Sequence, residues 1–284
     1  MTYANPDALV STAWLEEHLN APDVRIVDAT YFMPTSGRDM RAEFEASHIP
    51  GAVHFNIDEV ADKTKAKSHA LPTAEIFSSA CRSLGLGDGQ RIVVYDKSGG
   101  AMAASRVWWL MHLFGHKDVS LLDGGFGAWV SEGRPIDDLP RPPSRRHFTP
   151  RVNTTLVRDA QQVRATLGKS GELVVDARSP GRFNGTDAEP WEVARAGHIP
   201  GSVNLPFGAI QTKEHGRFAD AETIKATFEQ AGVDLDRPLI VSCGSGVTAC
   251  VLALGAYLIG KEDVAIYDGS WVEWANLSDY PIER

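Results

Sequence analysis

Short apolar runs alternate with longer segments of helical periodicity along the chain. Val24-Arg-Ile-Val-Asp28 and Leu173-Val-Val-Asp176 are apolar, bounded by polar residues and end in aspartate, so they predict short buried strands. Helical patterns cover residues 11–19, 73–84 and 102–114. Strands that alternate with helices predict the α/β class, with a mostly parallel sheet and helices on both of its faces.

This pattern occurs twice. Four motifs recur in the same order at offsets of 148, 150, 147 and 145 residues (28 to 176, 48 to 198, 96 to 243 and 123 to 268). The paired segments are 24–28 with 173–176, 47–53 with 197–203, 91–96 with 238–243, and 122–129 with 267–274. A period this long predicts two whole domains and not a solenoid.

A proline-rich stretch separates the two copies. Pro140, Pro142, Pro143 and Pro150 punctuate it, with charged residues between them. Such a composition favours an extended interdomain linker. The chain is therefore predicted to consist of a first domain at 1–138, a linker at 139–152 and a second domain at 153–284.

Residues 238–250, Pro-Leu-Ile-Val-Ser-Cys-Gly-Ser-Gly-Val-Thr-Ala-Cys, carry the strongest chemical signal. They predict a strand at 238–242 and a buried helix at 247–259, with Cys243 in the glycine-containing turn between them. Backbone N–H groups and the helix dipole stabilise a thiolate in such a turn. A structural cysteine is the alternative, but a core cysteine does not need glycines beside it. Cys81 and Cys250 are predicted to be core residues.

Composition and charge limit the classes of binding partner that are expected. The 284-residue chain has a net charge of −9, and its one short basic run, at 63–67, is most simply a solvated loop. Nucleic acid and anionic membranes are therefore not expected as partners. No apolar run reaches the length of a membrane span, and the N-terminus has no signal-peptide pattern, so the expected location is cytoplasmic. Three cysteines do not suggest a disulfide framework, and no His/Cys cluster has metal-ligand spacing.

The segment Cys243-Gly-Ser-Gly-Val-Thr-Ala resembles the active-site loop of the rhodanese superfamily, in the form found in its mercaptopyruvate-using branch. The resemblance implies a tandem rhodanese fold and a sulfurtransferase that needs no cofactor. It implies transfer of sulfane sulfur from 3-mercaptopyruvate, through a persulfide on Cys243, to cyanide, a small thiol or thioredoxin. It also implies that the loop residues Gly244, Gly246, Val247 and Thr248 bind the substrate.

Further positions match the same branch. Asp58 and His69 stand eleven residues apart before a Leu-Pro, and the resemblance implies that they join Ser245 in a Ser-His-Asp proton relay for Cys243. It makes Arg182 a ligand of the substrate carboxylate. Trp191 stands where the family usually has a second arginine. Arg195, four residues later, is the candidate to supply the missing charge.

Two other enzymatic activities and one non-catalytic role are the alternatives. A thiosulfate:cyanide sulfurtransferase would favour basic side chains just after the cysteine, where this chain has Gly244 and Ser245. A cysteine phosphatase needs Cys-x5-Arg, but the sixth residue after Cys243 is Ala249. A non-catalytic sulfur-carrier or regulatory binding module would keep the persulfide without requiring Arg182 or His69.

The first copy lacks the nucleophile, because Asp96 stands at the position of Cys243. The first domain is thus either a scaffold or a contributor to a cleft shared between the domains. His48 and His198, in the repeated His-Ile-Pro-Gly segments, are predicted to be structural, because both copies have them. The aromatic Asp-Gly segments that begin at Asp123 and Asp268 are expected to serve packing and turns.

Overall fold

Each half of the chain forms a five-stranded parallel sheet. The structure, a computed structural model, describes residues 2–33, 36–65, 67–140 and 142–284. The first sheet has the order β1-β5-β4-β2-β3 and the second the order β6-β10-β9-β7-β8. The strands are β1 Leu9–Val10, β2 Val24–Asp28, β3 Val53–His54, β4 Arg91–Tyr95, β5 Val119–Leu122, β6 Val157–Arg158, β7 Leu173–Asp176, β8 Val203–Asn204, β9 Leu239–Ser242 and β10 Val264–Tyr267. The identical strand order confirms the α/β class and the duplication.

Helices connect the strands and cover both faces of each sheet. They are α1 Thr12–Glu17, α2 Met40–Ala46, α3 Ala74–Ser83, α4 Met102–Leu113, α5 Gly125–Ser131, α6 Ala160–Arg164, α7 Pro180–Phe183, α8 Ala221–Gln230, α9 Ala249–Leu258 and α10 Ser270–Trp274. The Thr73 hydroxyl accepts from the N–H of Ile76, and the Asp220 carboxylate accepts from the N–H groups of Glu222 and Thr223, so these residues cap α3 and α8.

The strand residues divide between the two faces of each sheet. In β4, Ile92 and Val94 join the core on the side of α4, whereas Val93 and Tyr95 join the core on the opposite side. This alternation follows from the two-residue period of a strand. Because both faces are covered, the inner strands carry continuous apolar runs, such as residues 92–94 in β4 and 239–241 in β9, as the sequence indicated.

One apolar core is shared by both domains. The helices α4 and α9 pack against each other across the interface, and most of their residues are buried. The residues of this core come from both sheets and are contiguous. A buried apolar interface of this kind holds the two domains in a fixed relation, which matters for any site that both of them build.

Two reciprocal arms complete the interface. In the first arm, residues 67–71 of the first domain contact the second domain, where the Asp268 carboxylate accepts from the N–H of Leu71 at 3.1 Å. In the second arm, residues 211–218 of the second domain contact the first domain, where the Asp123 carboxylate accepts from the N–H of Phe218 at 3.0 Å. The aspartates of the repeated Asp-Gly motif therefore anchor the arms, a task beyond the packing role expected from sequence.

The proline-rich segment is bound along the first domain. The N–H of Arg151 donates to the Phe114 carbonyl at 2.8 Å, and a Cβ at Gly115 would approach the Arg151 carbonyl oxygen to 2.7 Å. Phe148 is 2% exposed and packs edge-on against Phe77. Arg141, part of the predicted linker, lies outside the described residues. The segment 142–152 is thus an ordered strap on the first domain.

We expect Phe148→Ala to lower the free energy of unfolding by about 3–5 kcal/mol, the usual cost of truncating a buried phenylalanine. Urea unfolding followed by circular dichroism measures this. Leu139→Ala is the matched control, because Leu139 lies in the predicted linker just before this segment and is 71% exposed. Its effect should stay within about 0.5 kcal/mol. Equal effects of the two substitutions would show that the segment is not docked.

Candidate active site

Cys243 follows the last residue of β9 and precedes α9. The Cys243 sulfur, almost fully buried, accepts from the N–H of Gly246 at 3.1 Å. Among the described residues, the N–H groups of Gly244, Ser245, Val247 and Thr248 donate to no protein acceptor. One loop N–H thus points at the sulfur and four more in the same loop are free, an arrangement that suits the stabilisation of negative charge.

Two glycines allow this loop to form. Gly246 has a φ of +87°, and a Cβ there would approach the Asp268 carbonyl oxygen to 2.8 Å. Glycine is required at position 244 for another reason, because a Cβ there would overlap the Arg182 Nη2 atom. Arg182 therefore lies directly against the backbone next to Cys243, in the space that a larger residue at position 244 would occupy.

A carboxylate orients Arg182. The Arg182 Nε donates to Glu189 Oε2 at 3.0 Å, and the other oxygen of Glu189 accepts from Arg178 at 2.7 Å. Arg178 is itself fully buried and paired with Asp176 at the end of β7. Arg182 keeps partial exposure, and its Nη1 donates to no group in the part of the chain that the structure describes. One edge of this guanidinium remains available to a ligand.

His69 and Asp58 form the pair that the sequence suggested. The His69 Nδ1 lies 3.1 Å from Asp58 Oδ1. Because an ionised carboxylate only accepts, Nδ1 carries the proton and Nε2 is left as an acceptor. Burial lowers the pKa of His69, although the bond to Asp58 opposes this, so the ring is neutral at pH 7. A neutral histidine oriented by a carboxylate is equipped to take a proton.

The Nε2 of His69 has no hydrogen-bond partner among the described residues. The ring lies between two aromatic side chains, with Tyr31 and Trp191 each at 5.6 Å between centroids in edge-on geometry. Trp191 comes from the second domain and thus closes over a first-domain histidine. The Ser245 hydroxyl makes no hydrogen bond to His69, so a complete relay of Ser245, His69 and Asp58 stays a prediction.

Sequence reasoning missed a buried ionic cluster behind the loop. Lys67 and Arg106, both from the first domain, pair with the Asp268 carboxylate of the second. Although burial opposes it, the charges of Lys67 and Arg106 hold the pKa of Asp268 well below its usual range. The expectation that the basic run 63–67 is a solvated loop is wrong for Lys67, whose side chain is only 13% exposed. Ala66 lies outside the described residues.

The first domain contains the same turn with an aspartate in place of the cysteine. Asp96 follows β4, and its carboxylate accepts from the N–H groups of Ser98 and Ala104, both at 3.0 Å. The N–H of Phe126 donates to the Asp96 carbonyl as that of Trp271 does to the Cys243 carbonyl, at 3.1 and 3.0 Å. The duplicated turn therefore holds an acidic group in each domain, but only the second domain holds a nucleophilic one.

Arg195 is engaged elsewhere. Its guanidinium donates to four backbone carbonyls at and beyond the C-terminal end of α10, those of Trp274, Ala275, Leu277 and Tyr280. A substrate carboxylate would have to compete with all of these bonds. We therefore correct the expectation that Arg195 replaces the missing arginine, and assign it to holding the C-terminal segment.

The repeated histidines also have structural partners. The ring of His48 bonds the Phe44 carbonyl at 2.8 Å, and that of His198 bonds the Phe183 carbonyl at 3.0 Å. Each ring also stacks on the same phenylalanine. These contacts agree with the structural interpretation of both motifs.

The other cysteines are unsuited to nucleophilic chemistry. Cys81 and Cys250 are both completely buried and free. Burial raises the pKa of the Cys250 thiol to about 12 and that of the Cys81 thiol even further. Both thiols are therefore protonated at pH 7, as expected of core residues.

Within the described residues, no group of three or more His, Cys, Asp or Glu side chains is arranged to hold a metal ion. In the same residues no helix has both the length and the apolar character required to cross a membrane.

Known proteins share this architecture. The rhodanese-like domain family matches residues 11–132 and 159–277. The chain is 44% identical over 272 residues to the 3-mercaptopyruvate sulfurtransferase of Homo sapiens, covering 94% of this chain and 91% of that protein. It is also 44% identical over 273 residues to the thiosulfate sulfurtransferase of Bos taurus, with coverage of 94% and 91%.

A solved structure agrees as well. The crystal structure of SseA from Escherichia coli, a 3-mercaptopyruvate sulfotransferase, has a TM-score of 0.85 with this chain at 34% identity, covering 93% of this chain and 98% of that one. Two rhodanese-like domains, a strand-end cysteine in the second of them and near-full-length similarity to sulfurtransferases lead to one conclusion. The chain belongs to the rhodanese family and is a sulfurtransferase with two tandem domains.

Proposed function

We propose that this sulfurtransferase takes its sulfur from 3-mercaptopyruvate and carries it as a persulfide on Cys243. Overall identity does not select the donor, since relatives named for mercaptopyruvate and for thiosulfate are equally similar. The observation that carries the proposal is the position of Arg182 against Gly244, next to the nucleophilic sulfur.

Arg182 suits a donor with a carboxylate. Its Nε and Nη2 are held by Glu189, which fixes the guanidinium plane and leaves Nη1 to a ligand. A charge-assisted hydrogen bond to a carboxylate orients the substrate over Cys243. The family usually binds the substrate carboxylate with two arginines. Because Trp191 stands in place of the second, Arg182 is the one that remains for this task.

The reaction proceeds in two steps. The Cys243 thiolate attacks the thiol sulfur of the donor, an S–S bond forms, and the C–S bond breaks to release the enolate of pyruvate. The proton of the donor thiol ends on the enolate carbon, which gives pyruvate. Cyanide, a small thiol or reduced thioredoxin then attacks the outer sulfur of the persulfide and restores the Cys243 thiolate.

His69 is the group suited to move this proton. Its Nε2 is an acceptor at neutral pH, and Asp58 stabilises the ring when it becomes protonated. Ser245 lies in the loop between Cys243 and the first-domain arm and would pass the proton once its hydroxyl reaches His69. The free N–H groups of the loop stabilise the charge on the growing persulfide.

Thiosulfate is the second candidate donor. It is a dianion and is better served by basic side chains at positions 244 and 245, which this chain lacks. A non-catalytic carrier would need only Cys243, and it would gain nothing from an Arg182 that is partly free and oriented by a buried carboxylate.

We expect kcat/KM for 3-mercaptopyruvate to exceed that for thiosulfate, with cyanide as the acceptor of both. Arg182→Ala should lower the value for mercaptopyruvate by roughly tenfold to a thousandfold, since a charged hydrogen bond is worth a few kcal/mol and each ~1.4 kcal/mol is tenfold. Arg164→Ala, at an exposed arginine on the same domain, is the control and should have no effect. A higher value for thiosulfate would overturn the assignment of the donor.

Gly244→Ala tests the placement of Arg182. The added methyl group would overlap the guanidinium and push it away from the loop, so we expect kcat/KM for mercaptopyruvate to fall at least about tenfold. Gly171→Ala is the matched control, because a Cβ there meets no atom within 4 Å. Unchanged kinetics in Gly244→Ala would show that Arg182 does not act from this position.

We expect Cys243 to be the only sulfur-carrying residue. After treatment with the donor, mass spectrometry should find one added sulfur atom on the Cys243 peptide and none on the peptides of Cys81 and Cys250. Cys243→Ser should abolish turnover, whereas Cys81→Ala should remain active. Sulfur found mainly on either buried cysteine would contradict the proposed intermediate.

A further inference from the structure

We infer that Lys67 and Arg106 are positioning residues by which the first domain shapes the sulfur-binding loop of the second. The inference rests on the proposed role of Cys243 as the sulfur acceptor and adds to it what keeps the loop N–H groups directed at the sulfur. Neither side chain touches the sulfur; both act through backbone carbonyls.

Each cation holds one loop carbonyl. The Lys67 Nζ donates to the Ser245 carbonyl at 3.0 Å, and the Arg106 Nη1 donates to the Gly246 carbonyl at 3.1 Å. The Arg106 Nη2 donates to the His69 carbonyl at 3.2 Å as well. The same arginine thus ties the histidine arm to the cysteine loop.

Peptide geometry converts these contacts into an orientation of N–H groups. No cis peptide bond occurs in the described residues, and in a trans peptide the C=O and N–H of one unit point in opposite directions. Holding the Ser245 carbonyl outward therefore turns the N–H of Gly246 inward, where it reaches the Cys243 sulfur at 3.1 Å. Holding the Gly246 carbonyl turns the N–H of Val247 away from Arg106 in the same way.

Asp268 keeps the two cations in place. Its carboxylate pairs with Lys67 at 3.1 Å and with Arg106, and it also accepts from the N–H of Leu71. Without it, two buried positive charges would repel each other beside the loop. The three charges form one unit that spans the interface.

The duplication supplies an internal comparison. At the turn of the first domain, which has no nucleophile, the opposite arm reaches a loop carbonyl with a neutral amide, as Gln211 donates to the Gly100 carbonyl at 3.1 Å. Arg217 on the same arm donates instead to the Asp123 carbonyl at 3.1 Å and pairs with Glu132 at 2.8 Å. Lys213, on that arm, is exposed and forms no ion pair with another described residue. Cationic side chains of the opposite domain thus donate to loop carbonyls at the turn that carries the cysteine.

The test is the pH dependence of Cys243 alkylation by iodoacetamide, measured on the full chain without any sulfur donor. The charged and titratable groups around the loop are Lys67, Arg106, Asp268, Arg182, Glu189, His69 and Cys250. Lys67→Met should raise the pH of half-maximal alkylation by about one unit, because N–H groups that favour the thiolate lose their orientation. It should also lower kcat about ten- to a hundredfold, with KM changed less than about twofold.

Three variants separate positioning from charge and from folding. Lys67→Arg keeps a donor in place and should restore most of kcat. Arg106→Lys keeps the charge beside Asp268 but loses the fork that reaches the Gly246 carbonyl, so the alkylation midpoint should still rise. Lys213→Met, on the reciprocal arm, should match the unmodified protein in both measurements.

An unchanged alkylation midpoint in folded Lys67→Met and in Arg106→Lys would overturn the inference, even if kcat fell. An unchanged midpoint in Arg106→Lys alone would also overturn it, because charge and not orientation would then explain Lys67→Met. Because alkylation needs no donor, an error in the identity of the donor leaves this result intact.

Discussion

Asp268 is the point on which the site depends. This carboxylate of the second domain lies at the domain interface and pairs with both Lys67 and Arg106 from the first domain. Taking such charges out of water is costly, and removing one partner of a buried pair typically costs about 3–5 kcal/mol. The contacts that the cluster makes offset this cost of desolvation. They hold together the cysteine loop, the histidine arm and the two domains.

The fold explains why the cluster is needed. A parallel α/β sheet presents a strand-end turn with inward N–H groups, which stabilise an anionic sulfur. The carbonyls of the same turn must point away and still find donors, because buried polar groups without partners are unfavourable. At the turn that carries Cys243, the first domain supplies donors to two of these carbonyls, those of Ser245 and Gly246. The first domain, which has no nucleophile, therefore contacts the cysteine loop through its arm and through α4.

The proposed donor selection rests on side chains around the same turn. Because Gly244 has no side chain, Arg182 can approach the loop, and Glu189 fixes the direction of that arginine. Trp191 stands where the family usually has an arginine, and its ring packs edge-on against His69. The cleft thus combines one partly free arginine, the proposed ligand of the substrate carboxylate, with a shielded, neutral histidine. A loop that binds a dianion through its own basic residues would have a different distribution of charge.

The sequence by itself determined the local elements and the duplication. The apolar runs at β2 and β7 were readable because they depend on nearby residues and on simple periodicity. The position of Cys243 was readable too, since glycines between a strand and a helix leave a local signature. The pairing of Asp58 with His69 followed from a motif.

Only the tertiary structure decided which charges meet. Lys67 looked like a solvated lysine and Arg195 like a spare ligand, because a charged side chain carries no sequence signal for what it will contact. Lys67, Arg106 and Asp268 lie as much as 201 residues apart and meet only because α4 packs on α9 and the two arms cross. Long-range ionic contacts depend on the docking of whole domains, and that docking is set by the shared apolar core.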